Sequence, residues 1–445
     1  MNITLQRTLV VGVLAGAIAL ALVLVAGVGS ASADSSVVGP GESIQKAINA
    51  ADPGDTIVVR GLHREDVAIR KDGIKLRGDD AVIEPPARAD SPCSRTFGPE
   101  AICILGGLNL ETGEITGPRV SDVSVSGFTI RGFQEGGKGE FKTFSIDVLA
   151  ARDATVAGNR AIGNVAGGIG VTAGSINTTV VNNDVIGNPK SSASGVAVEF
   201  SSYTTVVKNV VRNIPEGENA IDVNEATNTT IAGNDLIGNW LGAFIVDSPG
   251  TKILFNDMSR TGIVGTYVAG PKSQDAKVVG NNISGGPWGI VVEDAHGGSL
   301  VGNNVHDNCA GMFFEDFASQ PVGGFEVKGN TVKNNTRSCR AAQFGINFSG
   351  IGIALLGATD MEVTGNTLSG NVPSGPTRIS GGVVVSTDPY YRGTTFGGTT
   401  KPRNNSVTGN HFGRNRPDIF YDGSGSGNRF AGNFCDTSVP SRLCN

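Results

Sequence analysis

One short pattern of apolar and polar positions keeps returning along the chain: an apolar residue, a spacer, Gly-Asn, a spacer, an apolar residue. It reads Val156-Ala-Gly-Asn159, Ile231-Ala-Gly-Asn234, Val278-Val-Gly-Asn281 and Leu300-Val-Gly-Asn303. It continues as Val327-Lys-Gly-Asn330, Val363-Thr-Gly-Asn366, Val407-Thr-Gly-Asn410 and Phe430-Ala-Gly-Asn433. Degenerate copies place Asn183, Asn209 and Asn256 after a residue other than Gly. From Asn159 to Asn303 the intervals are 24, 26, 25, 22, 25 and 22 residues; 27, 36, 44 and 23 follow. A period of this size marks a repeat architecture, in which each unit buries its apolar face against its neighbours.

A second phrase follows each turn: Gly-apolar-x-apolar. Examples are Gly168-Ile-Gly-Val171, Gly195-Val-Ala-Val198, Gly289-Ile-Val-Val292, Gly311-Met-Phe-Phe314 and Gly382-Val-Val-Val385. Alternation at period two predicts strands with one face buried. Gly-Asn predicts the sharp turn, because Gly carries no Cβ penalty at positive φ and Asn is next best. The Asn amide is expected to bond the Asn stacked ~4.8 Å above it. These features predict an all-β chain: a right-handed parallel β-helix of about a dozen coils. A leucine-rich repeat would want Leu where Val and Ile dominate, and the G-G-x-G-x-D of calcium-binding rolls is missing. Gly richness (65 residues) does not mean disorder here, because 39% of the chain is hydrophobic and regularly alternating.

The repeats between about Val37 and Asn433 resemble the right-handed β-helix proteins of the pectin-lyase-like superfamily. Within it, the secreted group related to periplasmic nitrous-oxide-reductase accessory proteins is the most similar in flavour. The resemblance implies the fold more than the function, since such folds host lyases, hydrolases, epimerases and non-enzymes.

The ends read differently. Residues 1–33 carry Arg7, an apolar run from Leu9 to Val28, and Ala31-Ser-Ala33. This predicts a cleaved signal peptide and a secreted or cell-envelope protein; uncleaved, the segment would be its membrane contact. Ser43-Ile-Gln-Lys-Ala-Ile-Asn-Ala-Ala51 has apolar residues at helical spacing, with Ser43 as N-cap. It predicts a short capping helix over the first coil. His63 reads as a turn residue at its entrance. Residues 37–445 read as one domain, with loop insertions near 84–119, 133–144, 333–350 and 386–403.

Six cysteines remain after residue 33, an even number that suits disulfides in an exported chain. Pairing neighbours (Cys93 with Cys103, Cys309 with Cys339, Cys435 with Cys444) would staple insertions or a terminus. With no C-x-x-C, a zinc or redox site is disfavoured. The net charge of −6, or −7 without Arg7, argues against a nucleic-acid partner. It also makes a polyanionic substrate less natural unless a local basic groove or a bound cation accepts it. A monomer is expected.

The resemblance implies a working groove on the face of the Gly-apolar-x-apolar strands. Carboxylates at the strand ends are therefore the candidate catalytic groups: Glu293, Asp294, Glu315 and Asp316. Glu293 and Glu315 lie 22 residues apart, one coil. Stacked about 5 Å apart they would repel, so one pKa rises or a cation such as calcium sits between them. Asp247, Tyr390 and Tyr391 are the candidate substrate-binding residues, the tyrosines as stacking surfaces for sugar rings. His296, His306 and Asp307 fall in the same coils. Side chains 293 and 294 are expected on opposite faces. The polygalacturonase signature is absent: its nearest match is Asn219-Ala-Ile-Asp222, and Arg-Ile-Lys is missing. The Asp-Pro-His run of mannuronan epimerases is missing too, and no Met, His or Cys cluster suits copper. The expected function is binding or cleavage of polysaccharide. The alternatives are a non-catalytic envelope scaffold and a metallo-enzyme accessory protein.

Overall fold

The computed structural model describes residues 34–96, 98–134, 142–316, 321–341, 346–390 and 400–444. The expected signal peptide lies outside them. Asp34–Asn445 forms one compact unit. Its strands build a parallel β-helix. A 14-stranded sheet takes one strand from each successive coil, from Val67–Ile69 to Ser438–Val439. An 18-stranded and a 6-stranded sheet form the other faces. Two two-stranded pieces complete the strands among the described residues; one is antiparallel, Cys339–Ala341 with Ile346–Phe348.

The apolar residue of the Gly-Asn phrase is stacked in register from coil to coil. Val156 pairs with Val180, Val180 with Val206, and so on to Val407 with Phe430. These side chains belong to one continuous core cluster running from Val38 to Val407. Burying each aliphatic side chain is worth roughly 1.5–3 kcal/mol, and the stack repeats it every coil.

The Asn of the phrase forms a buried ladder. Asn183 donates from its backbone N–H and from Nδ2 to Oδ1 of Asn209, at 2.9 Å each, and Nδ2 also reaches the Val156 carbonyl at 3.0 Å. The same bonding links Asn159 to Asn183, and continues through Asn209, Asn234, Asn256, Asn281, Asn303, Asn330, Asn366 and Asn410 to Asn433. The long intervals to Asn366 and Asn410 leave the ladder unbroken, so the extra residues loop out without shifting register. Every rung is buried with its amide satisfied, which is what allows a polar column inside the core. A second ladder, Asn308, Asn335, Asn371 and Asn415, ends on Asp418.

The left-handed position of the turn is taken by the Gly of the phrase, as expected, and not by the Asn after it: φ is 63° at Gly158, 61° at Gly233 and 64° at Gly302. In the degenerate copies Asn182, Lys208 and Phe255 adopt 55°, 56° and 55°. A Cβ added at Gly158 or Gly302 would meet nothing within 4 Å, so Gly is there for its φ and not for space.

The capping helix spans Ile44–Ala50, with Ser43 Oγ accepting from Lys46 N at 3.1 Å. It closes the sheet edge through a side chain. The Gln45 amide accepts from Ala68 N at 2.7 Å and donates to Ala68 O at 3.1 Å, as a neighbouring strand would. Glu65 accepts from Ile44 N and Gln45 N at the helix start. His63 is not a turn residue. It lies buried in the strand Thr56–Arg64, its ring nitrogens 3.1 and 3.0 Å from the carbonyls of Glu42 and Arg60.

The region 84–119 is not wholly an inserted loop. It carries a short helix, Pro92–Thr96, and the strand Ile102–Leu105, which joins the 14-stranded sheet between Val67–Ile69 and Phe144–Leu149. The apolar run Ile102-Cys-Ile-Leu105 was long enough for a strand but had no Gly-Asn beside it. Disulfides join Cys93 to Cys103, Cys309 to Cys339 and Cys435 to Cys444.

Candidate functional site

Inward and outward residues of the 14-stranded sheet separate cleanly. In each Gly-apolar-x-apolar phrase the two apolar residues enter the main core, as Ile290 and Val292 do. The x position points out. Stacked in register, the outward column reads Cys103, Asp147, Gly170, Ala197, Asp222, Phe244, Tyr267, Val291, Phe313, Ala354, Val384. Its first part carries acids and small residues; its later part is aromatic and aliphatic. The later part is roofed by Ile346, Phe348 and Tyr390 in a second apolar cluster. Phe244 and Tyr267 stack at 5.2 Å and remain half-buried, and Trp288 stacks on Phe348 at 4.3 Å.

The candidate carboxylates lie two residues further along the same strands. Glu293 pairs in register with Glu315, below Ala269 and Leu356 on either side. They are 8% and 7% exposed. The Tyr267 hydroxyl donates to Glu293 Oε2. Burial pushes the Glu293 carboxyl up to about 7, against the pull of the Tyr267 bond and with a push from Asp294. Glu315 is pushed well above the ordinary carboxylate range by burial, then by Glu293, Asp388 and Asp294. Its Oε2 is buried without a hydrogen-bond partner among the described residues. Burial and the same acids raise the Tyr267 hydroxyl as well.

Asp294 does not point away from Glu293, because strict alternation stops there. Its φ of 51° places it in the left-handed turn that leaves the strand, and its charge acts on Glu293, Glu315 and Tyr267 alike. Asp316 is buried beside it at the next strand end. Asp247 occupies the corresponding turn, φ 47°, two coils earlier, and accepts from Lys272 N at 3.1 Å. Tyr390 is buried and packs on Phe313 at 6.2 Å, so its ring walls the apolar cluster instead of offering an open stacking face. Tyr391 lies outside the described residues. His306 bonds Asp307 at 2.6 Å on the strand Asn304–His306 of the 6-stranded sheet, away from this face. His296 sits in the 18-stranded sheet.

Among the described residues, the one trio of ligating side chains close enough to share an ion is Cys93, Glu100 and Cys103. Its two sulfurs are spent on a disulfide. A calcium ion at Glu293 and Glu315 would therefore draw further donors from backbone or water.

A second acidic group was missed at sequence level. Asp147 is buried, and its Oδ1 has no hydrogen-bond partner among the described residues. Burial, then Glu199, raises it to about 7. Asp222, held by Asn219 Nδ2 at 3.1 Å, is raised to about 6 by burial and Glu199. Glu199 is itself raised by burial, with Lys142 opposing. Glu100 is buried with neither oxygen hydrogen-bonded among the described residues, and is raised by burial, Asp147 and Asp66. The signal was present in the x position of Ser145-Ile-Asp147-Val148 and Ala220-Ile-Asp222-Val223, where a polar residue between two core residues must face outward.

Residues 189–336 match the family described as right handed beta helix region. No curated protein sequence matches the chain. Among solved structures, the PL6 family polysaccharide lyase Pedsa3628 from Pseudopedobacter saltans is 15% identical, covering 90% of this chain and 91% of its own, with a TM-score of 0.49. The A-module of the Azotobacter vinelandii mannuronan C-5 epimerase AlgE4 is 15% identical, covers 89% and 94%, and has a TM-score of 0.43. PfbA, a surface adhesin of Streptococcus pneumoniae, is 13% identical, covers 87% of each chain, and has a TM-score of 0.43. The strand order and the match over 189–336 agree: the chain is a right-handed parallel β-helix.

Proposed function

We propose that this is an exported protein that binds and cleaves polysaccharide along the outward face of its 14-stranded sheet, with Glu293 and Glu315 as the reacting pair. The observation that carries the reading is their register pairing. Adjacent strands put two carboxyl groups about 5 Å apart, the separation used when one acts as nucleophile and the other as general acid. Their environments divide the roles. Glu315, raised well above the usual carboxylate range by burial and with Oε2 unpartnered among the described residues, is the proton donor to the leaving oxygen. Glu293, at about 7 and held by Tyr267, is the group that ionises first and attacks or assists. Burial keeps both values high, and the charge of Asp294 adds a smaller push. The half-buried Phe244, Tyr267 and Trp288 supply flat apolar surface for sugar rings. Three disulfides fit an oxidising compartment.

The test is to incubate the protein with a panel of polysaccharides and follow reducing ends and unsaturated-product absorbance. New reducing ends without unsaturated product support hydrolysis. Unsaturated product would replace the hydrolytic assignment with elimination. No product and no binding from any polysaccharide would overturn the reading.

A further inference from the structure

We propose a second ligand subsite at the capped end of the helix, a basic cleft that takes the negatively charged groups of an anionic glycan. This rests on the polysaccharide reading above and names a substrate class for it.

A cleft of about 430 Å³ opens between the capping helix, the first strand of the 14-stranded sheet and the segment 86–95. That volume falls in the range of roughly 300–1,000 Å³ typical of small-ligand sites. Five cations line it (Arg64, Arg70, Lys71, Arg88 and Arg95) against three acids: Glu65, Asp66 and Asp90. In a chain of net charge −6 this is a local reversal of sign.

The acids are already engaged. Glu65 accepts from Ser43 Oγ and from two backbone N–H groups of the capping helix. Asp66 accepts from the N–H groups of Asp90 and Ser91, at 3.0 and 2.9 Å. Asp90 is paired with Arg95. The cations are less fully used. Arg64 is paired with Glu84. Among the described residues Lys71 Nζ gives hydrogen bonds to the neutral carbonyls of Asn49 and Ala51, at 2.7 Å each, and to no carboxylate, so its charge is not cancelled by them. Arg70 and Arg88 make no ion pair or hydrogen bond among the described residues, and both are exposed. Two free guanidinium forks beside an uncancelled ammonium suit carboxylate or sulfate, because each fork binds two oxygens in one plane. Ala68, on the cleft floor, is in register with Cys103 and so begins the same outward column that leads to Asp147 and Tyr267. A chain anchored here by a charged unit is aligned with the face proposed for chemistry.

The experiment titrates the intact, disulfide-bonded protein with an oligogalacturonate, a sulfated oligosaccharide and a neutral xylo-oligosaccharide, each at low and high salt. Arg70→Ala combined with Arg88→Ala is expected to weaken binding of the anionic probes at least about tenfold, with the melting temperature unchanged because both side chains are exposed. Affinity should fall as salt rises, and the two anionic probes show whether carboxylate or sulfate is preferred. Equal binding by the double variant and wild type would overturn the subsite, as would equal affinity for the neutral probe. If a neutral polysaccharide is processed while no anionic probe binds, this inference fails and the reading of Glu293 and Glu315 stands. If the anionic probes bind but Glu293→Gln and Glu315→Gln leave all turnover intact, the subsite stands and the catalytic reading fails.

Discussion

Glu293 and Glu315 face each other in register on neighbouring parallel strands, each buried to within a few per cent. Like charges at one strand spacing cannot both ionise cheaply, so the pair titrates as a unit with one proton retained near neutral pH. Glu315→Gln is therefore expected to lower turnover by about 10²-fold or more, the usual weight of a general acid. Glu293→Gln should do the same. Rate measurements on the responsive polysaccharide check both. The rate should rise with pH through about 7, as Glu293 ionises, and fall again where Glu315 loses its proton.

Stability should also depend on pH with an unusual sign. Asp147 and Glu293 are raised to about 7 and Asp222 to about 6, all above their unfolded values near 4. Between those limits the folded protein binds more protons than the unfolded chain. Its stability therefore falls as pH rises from about 4 to about 7. Melting curves over that window should show the fall, and Asp147→Asn should flatten it. A melting temperature that climbs steadily to pH 7 in both proteins would contradict the raised values.

The Asn ladder predicts an expensive substitution. Asn209→Ala removes the acceptor of Asn183 N and Nδ2, and the donor to Asn234 Oδ1 and Val180 O. Several buried groups lose partners at once, at about 1–3 kcal/mol each. Denaturant or proteolysis assays should show a large loss, and Asn209→Asp should not rescue it, because its second oxygen would face the Asn234 Oδ1 and Val180 O acceptors that Nδ2 serves.

The left-handed turn predicts opposite signs at equivalent positions. Gly302→Ala meets no steric obstacle yet forces φ near 64° on a Cβ, costing about 1–2 kcal/mol. Lys208→Gly relieves the same strain at φ 56° and should be neutral or stabilising. Melting temperatures of the two variants check the pair.

The end of the sheet offers a fifth test. Gln45→Ala strips the amide that pairs with Ala68 and leaves a strand edge bare. The variant should lose about 1–2 kcal/mol and self-associate more readily, as light scattering would show.

The repeat and its consequences were legible in the chain. The period of Asn159 to Asn433 dictates the coil, because one polar amide per turn can be buried only by stacking on the next. The alternation in Gly289-Ile-Val-Val292 dictates which residues enter the core, and Ser43 with its apolar partners dictates the cap. The adjacency of Glu293 and Glu315 was legible for the same reason: one coil of sequence is one strand spacing of space. Folding in three dimensions set the outcome where the period is broken or where distant segments meet. Ile102–Leu105 became a strand because its neighbours offered unpaired edges, not because a turn phrase announced it. Tyr390 was buried against Phe313, a contact between a loop residue and a strand with no fixed spacing in sequence. Asp147 and Asp222 acquired their raised pKa values from burial and from Glu199, which lies two coils from the first and one coil from the second. The basic cleft was assembled from Arg70 and Arg88, whose charges are ordinary in sequence and unopposed only once the acids beside them are taken up by backbone N–H groups and by Arg95.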